Sequence, residues 1–318
     1  MFIPYNISKP IIKKTCGNIL LSIKQKLDAE LYGMDNVKEE ILLFVKQKLD
    51  NPNATNLSLA LVGPAGVGKT KIIRTLGEIL SLPFEQISMG GVNDVSYLNG
   101  NLYVYEGSKP GKIVETLIKQ QCNNGIIFFD EIDKIDSSSK GQAVEKKLMH
   151  ITDFTQNSIY ADDYALELNV NLSKIWFMFS LNDENSINMI LRNRMYIVRV
   201  PGYDFNDKKH ILGKHLIPEI ESRLEMNNNI IIPKDVQNHI ISCCKNEEGI
   251  RELKRVIEMI YRKLNMLCGL IKDNVSSNDL KLSFIIKDFS LPHTLTTNDV
   301  SILMKNYNTD PPIPNFYI

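Results

Sequence analysis

Eight consecutive residues, Gly63-Pro64-Ala65-Gly66-Val67-Gly68-Lys69-Thr70, have the types and order of a loop that cradles phosphate. Glycines let the backbone wrap close, so that its N–H groups point inward at phosphate oxygens. A helix starting at the lysine turns its positive N-terminal end toward the same charge. Lys69 is placed to reach the terminal phosphates, and the Thr70 hydroxyl to ligate Mg²⁺. By itself this loop indicates a nucleoside triphosphate site. A second candidate, the pair Asp130-Glu131, ends the apolar run Ile126-Ile127-Phe128-Phe129. Asp130 could hold Mg²⁺ through its water shell, because this ion dehydrates reluctantly. Glu131 could polarise an attacking water. Phosphoryl transfer needs little covalent help, so placement and charge neutralisation would carry the rate.

These residues need a scaffold that brings a loop and a strand end together. Strands are predicted at 57–63, 84–89, 126–130, 175–181 and 196–200, and helices at 36–49, 69–80, 112–121 and 144–154. Strands that are apolar throughout and alternate with helices predict an α/β fold with a central parallel sheet covered on both faces. Ligands of such sheets bind beyond the carboxyl ends of the strands, where both candidates stand. After Pro201-Gly202 the pattern becomes helical, at 207–224, 234–244 and 249–268, with Asn206 as a candidate cap and Pro233 near the first position of the second helix. The expected organisation is a lead segment at 1–26 that includes a helix at 19–27, a nucleotide-binding domain at 27–203, a small helical domain at 204–270 and an extension at 271–318. In that extension 274–278 reads as a loop and the Pro-rich end as irregular.

Composition narrows the classes. The 318 residues suit two domains, and 43% hydrophobic with 23% charged residues is ordinary for a chain with a real core. Lys plus Arg equals Asp plus Glu at 37 each, which argues against nucleic-acid binding by broad electrostatics. The five cysteines, Cys16, Cys122, Cys243, Cys244 and Cys268, are odd in number and form no C-x-x-C, so reduced thiols and an intracellular, cytoplasmic setting are expected. No apolar run is long enough to span a membrane, and the first residues do not read as a secretory signal. His210 and His215 are five apart, not at the i, i+4 spacing of a helical zinc pair.

Beyond the loop and the acidic pair, LDAELYGMDNVKEEIL (27–42), ISMGGVND (87–94), GSKPGKI (107–113), FFDEIDKI (128–135), RMYIVRVPGY (194–203) and EEGIRELKRVI (247–257) follow in order. Together these segments resemble the AAA+ ATPases and, more narrowly, the ATPase module of the Lon family of ATP-dependent proteases, over about residues 27–268. The resemblance implies ATP and Mg²⁺ as ligands and a P-loop domain followed by a helical lid. It implies that Tyr32 and Gly33 lie beside the adenine and that Asn182 is a sensor orienting the attacking water. Arg194 matches the arginine finger that completes a neighbouring subunit's site, with Arg192 as a rival in the sequence L-R-N-R. Arg251 matches the second sensor, on the lid, and Tyr105 the aromatic of the loop that grips unfolded polypeptide.

The chain also departs from that pattern. Asn193 replaces an Asp, Glu106 an apolar residue, Asn93 an Arg, and residues 99–104 a stretch rich in His and Arg. No Ser–Lys peptidase region follows the lid, so no intrinsic peptidase activity is expected. The implied function is a homo-oligomeric ring, a hexamer, that remodels or unfolds polypeptides and serves a separate peptidase or acts as a disassembly chaperone. The alternatives are a nucleic-acid remodeller of the clamp-loader or helicase-loader kind, and a nucleotide-bound switch.

Overall fold

The computed structural model describes residues 7–9, 16–50, 58–104, 106–165, 168–226, 229–244, 247–273, 280–305 and 307. They form two compact units, residues 1–201 and 202–318.

The first unit opens with helices α1 (Cys16–Glu30) and α2 (Asp35–Asp50). Strand β1 (Ser58–Val62), helix α3 (Lys69–Leu80) and strand β2 (Phe84–Ser88) follow. Next come a short turn of helix, α4 (Ser96–Asn99), helix α5 (Lys112–Gln120), strand β3 (Ile126–Asp130) and helix α6 (Ser139–Thr152). A two-residue hairpin, β4 (Tyr160–Ala161) with β5 (Asn169–Val170), precedes β6 (Trp176–Leu181), the short α7 (Met189–Arg192) and β7 (Met195–Arg199). Helix α6 starts earlier than the apolar spacing suggested, because Ser138 caps it by accepting from the Gly141 N–H.

Strands β2-β3-β6-β1-β7 lie side by side in that order as one sheet, every pair parallel. All residues of β1 and β6 are buried, as are the first four of β3. Apart from Asp130 at the end of β3, nothing along these three strands faces water, which explains their unbroken apolar reading. Phe129 of β3 stacks with Phe179 and Phe177 of β6, at centroid distances of 5.3 and 6.2 Å. Burying one such ring stabilises the fold by about 1.5–3 kcal/mol. Helices α3 and α5 turn Ile72, Ile73, Leu76, Leu80 and Ile113, Val114, Leu117 into the core at helical spacing. Both end where a residue turns left-handed, Ser81 and Gln121, each at φ 55°. Of the lead segment, Ile7–Lys9 lie along the turn before β3. The Asn123 N–H donates to the Ile7 carbonyl at 2.8 Å, and the Asn124 amide pairs with the Lys9 N–H and carbonyl at 2.8 and 2.7 Å.

The second unit contains α8 (Phe205–Ile211), a π-turn at Leu212–Leu216, α9 (Ile217–Arg223), β8 (Ile230–Ile231), α10 (Lys234–Cys243), α11 (Arg251–Lys272), β9 (His293–Thr294) and α12 (Thr297–Met304). Two sequence readings are corrected here. The helix expected at 207–224 is interrupted by the π-turn. Its cap is Asp204, not Asn206, through a reciprocal capping box with Asp207. Pro233 is the residue directly before α10, beside its first position as expected. His210 and His215 are separated by five residues, the span of a π-helical hydrogen bond, and their ring centroids stand 6.1 Å apart. Beyond residue 270, β9 pairs with β8, and α12 packs on α10 and α11. The expected loop at 274–278 and the tail from 308 lie outside the described residues.

Candidate functional site

Strand β1 ends at Val62, and the Gly63 N–H donates to the Leu181 carbonyl at 3.1 Å, which ties the start of the loop to the end of β6. A side chain is impossible at Gly63, because a Cβ there would stand 2.1 Å from the Val200 carbonyl oxygen. Gly66 and Gly68 have φ of 79° and 97°, in the left-handed region that favours glycine. Gly68 precedes α3, whose first residue is Lys69. Thr70 follows on that helix, half-buried. Leu31 packs over Gly68, with its methyl 3.2 Å from where a Cβ would be. That contact sets the Leu31–Tyr32–Gly33 segment beside the loop.

Lys69 is only 9% exposed. Its ammonium donates to the carbonyl of Gly63, to that of Pro64 at 3.0 Å and to Oδ1 of Asn182 at 2.9 Å. Burial lowers its pKa below the ordinary lysine value, and the charges of Asp133, Asp130 and Glu131 pull it back up. The ammonium is therefore held in a partly dry, electronegative corner. The loop lysine, the strand-end acids and Asn182 converge at the carboxyl edge of the sheet.

The acidic pair is fixed from both sides. Oδ1 of Asp130 accepts from the Ser180 hydroxyl, and Oδ2 accepts from Nε2 of Gln86 at 2.7 Å. The Ser180 oxygen in turn accepts the Glu131 N–H at 3.1 Å. Glu131 has φ 58°, a left-handed conformation that costs a non-glycine residue roughly 1–2 kcal/mol. Its carboxylate pairs with Lys134 at 2.5 Å. Oδ1 of Asp133 is buried with no hydrogen-bond partner among the described residues. Ser180, Gln86 and Asp133 did not stand out in the sequence. The available signal for Ser180 was a lone hydroxyl in the otherwise apolar run Trp176–Leu181. It meets Asp130 because β3 and β6 pair in register, with Phe129 opposite Phe179.

Among the described residues no three His, Cys, Asp or Glu side chains cluster as a metal site. The tight glycine loop, the buried lysine and the orphan carboxylate oxygen of Asp133 fit a magnesium-bound polyphosphate.

Arg194 lies elsewhere in this unit. Arg194 immediately precedes β7, and its carbonyl accepts from Ser58, the first residue of β1, at 3.4 Å. It thus stands at the amino edge of the sheet, opposite Lys69. Its guanidinium donates to the Met149 carbonyl and pairs with Asp153 at 2.9 Å. Arg192 instead faces Glu184 at 3.5 Å, a carboxylate shared with Arg199 at 2.9 Å. Arg251 opens α11 in the second unit and is exposed. Tyr105 lies outside the described residues, and its neighbours Tyr103 and Val104 are exposed.

Residues 59–202 match the ATPase family associated with various cellular activities (AAA). The chain is 35% identical over 241 residues to a mitochondrial Lon protease homolog of Candida albicans, a match covering 76% of this chain and 22% of that protein. It is 33% identical over 271 residues to the Lon protease of Ureaplasma parvum, covering 84% and 34%. It is 34% identical over 266 residues to that of Clostridium acetobutylicum, covering 83% and 34%. The chain thus spans about a third or less of the length of these relatives. No helix among the described residues is long and apolar enough to cross a membrane.

Proposed function

The chain belongs to the AAA ATPases, as an ATPase of Lon type, and from that premise we propose that it hydrolyses ATP as a ring-forming motor acting on polypeptide. The observation that carries this reading is the bond from the Lys69 ammonium to Asn182, which joins the glycine loop to the end of β6 beside the acidic pair. In this reading the Gly63–Gly68 backbone and Lys69 bind the phosphates, and Tyr32 and Gly33 flank the base. Thr70 and Asp130 hold Mg²⁺, which when bound neutralises charge on the phosphate oxygens. Glu131 takes the proton of the attacking water, and Asn182 orients that water.

Arg194 supports a ring. It sits at the wrong edge of the sheet for its own loop, a strand length of roughly 16 Å away and beyond the reach of a side chain. We assign it to the site of a neighbouring copy. A contact of that kind is head-to-tail and closes into a ring. The second unit is assigned as the lid, with Arg251 reporting the terminal phosphate to it. These roles concern nucleotide chemistry, and none concerns peptide cleavage.

The test is ATPase rate per chain against protein concentration, with and without an unfolded protein and with DNA in a parallel series. The expected result is a rate per chain that rises with concentration and is stimulated by the unfolded protein, not by DNA. Glu131→Gln should bind ATP and fail to turn it over. A constant rate per chain together with normal turnover in that variant would refute the proposal.

A further inference from the structure

We propose that Ser180 and Gln86 are the positioning residues for Asp130, clamping its two oxygens and thereby setting the affinity of the site for Mg²⁺. This rests on the assignment of Asp130 to the metal. Ser180 is 1% exposed and the single hydroxyl in β6. It performs two tasks with one oxygen, donating to Oδ1 of Asp130 and accepting the N–H of Glu131. The second bond lands where the backbone turns left-handed, so the hydroxyl fixes both the direction of the Asp130 carboxylate and the turn that swings Glu131 away from the strand. Gln86, on the edge strand, holds the remaining oxygen at 2.7 Å.

A carboxylate with both oxygens held by protein donors cannot rotate to follow an ion. It presents a fixed acceptor surface, which suits a cation whose bound waters must be met at set positions. Donors that orient a metal-binding carboxylate in this way affect metal affinity by about 10–100-fold. A purely structural role for Ser180, satisfying its own buried hydroxyl, predicts lost stability and no change in metal dependence.

The experiment is calorimetric titration of ATP into the full chain, first in EDTA and then at stepped MgCl₂ concentrations, with thermal melting alongside. Ser180→Ala should leave metal-free ATP affinity within about twofold and raise the Mg²⁺ concentration for half-maximal enhancement by roughly tenfold. Ser180→Thr, which keeps the hydroxyl, should restore it. Gln86 is exposed, and Gln86→Ala should raise the midpoint in the same direction, so the proposal remains testable even where the Ser180 variant fails to fold. A midpoint unmoved in both alanine variants, or in Gln86→Ala alone where Ser180→Ala does not fold, overturns it. A wild-type chain whose ATP affinity ignores Mg²⁺ overturns instead the assignment of Asp130 to the metal.

Discussion

The two edges of the central sheet are built on opposite plans. At the carboxyl edge, polar side chains from distant parts of the chain bond to one another: Lys69 to Asn182, Ser180 to Asp130, Gln86 to Asp130. At the amino edge the strands begin in apolar packing. Trp176, the first residue of β6, packs T-shaped with the Phe44 ring at a centroid distance of 6.1 Å, with Lys48 above it at 5.9 Å. Arg194 is the strong cation at that edge, and it is tied down locally by Asp153. A parallel sheet aligns all its strand ends, so one edge collects every loop that can converge on a ligand. The other edge is left for closure of the core and for contacts with something outside the unit. The difference explains why Lys69 and Arg194, both assigned to one phosphate chemistry, stand on opposite sides of the same sheet.

The sharpest way to break this contrast is Lys69→Ala. It removes the centre of the carboxyl edge, and no ATP binding should remain detectable by calorimetry. Retained tight binding would mean that the converging bonds serve packing alone. Arg194→Ala is the next test. It should leave ATP binding intact and lower the hydrolysis rate by roughly 10³-fold, as loss of an arginine finger does. Mixing it with Glu131→Gln subunits should restore activity at mixed interfaces; failure to do so would return Arg194 to a local role with Asp153. The smallest effect concerns Lys48. Burial pushes its pKa down from 10.5 to about 8. Between those values the unfolded chain holds a proton that the folded chain has lost, so stability should rise with pH across about 8–10. Below that window the burial cost is fully present. Lys48→Met should therefore raise the melting temperature at pH 7 by a few degrees and flatten its rise from pH 8 to 10.

The sheet was legible because its strands are buried on both faces and read as unbroken apolar runs. Helix α3 was legible to the residue, because Gly68 and Lys69 mark its start. The corner formed by Lys69, Asp130, Glu131 and Asn182 could be anticipated because each sits within two residues of a strand or helix end. Ser180 could not, since its partner is set by the pairing of β3 with β6 and by no local pattern. Asp204 and Asp207 carry the three-residue spacing of a capping box, but Asn206 between them is an equally good cap type. Strands β8 and β9 have two residues each, too short for any alternation to show.

The π-turn at Leu212–Leu216 has a consequence for inheritance as well as for shape. A π-turn spends one residue more than an α-turn in coming round once, so the surplus residue is absorbed in the wider winding and the helices on either side keep a common apolar face. Leu212, Leu216 and Ile220 are buried along it. Excising a single residue there should restore regular winding and leave Ile220 turned inward. A lineage could therefore gain or lose that residue without rewriting the apolar stripe of α9.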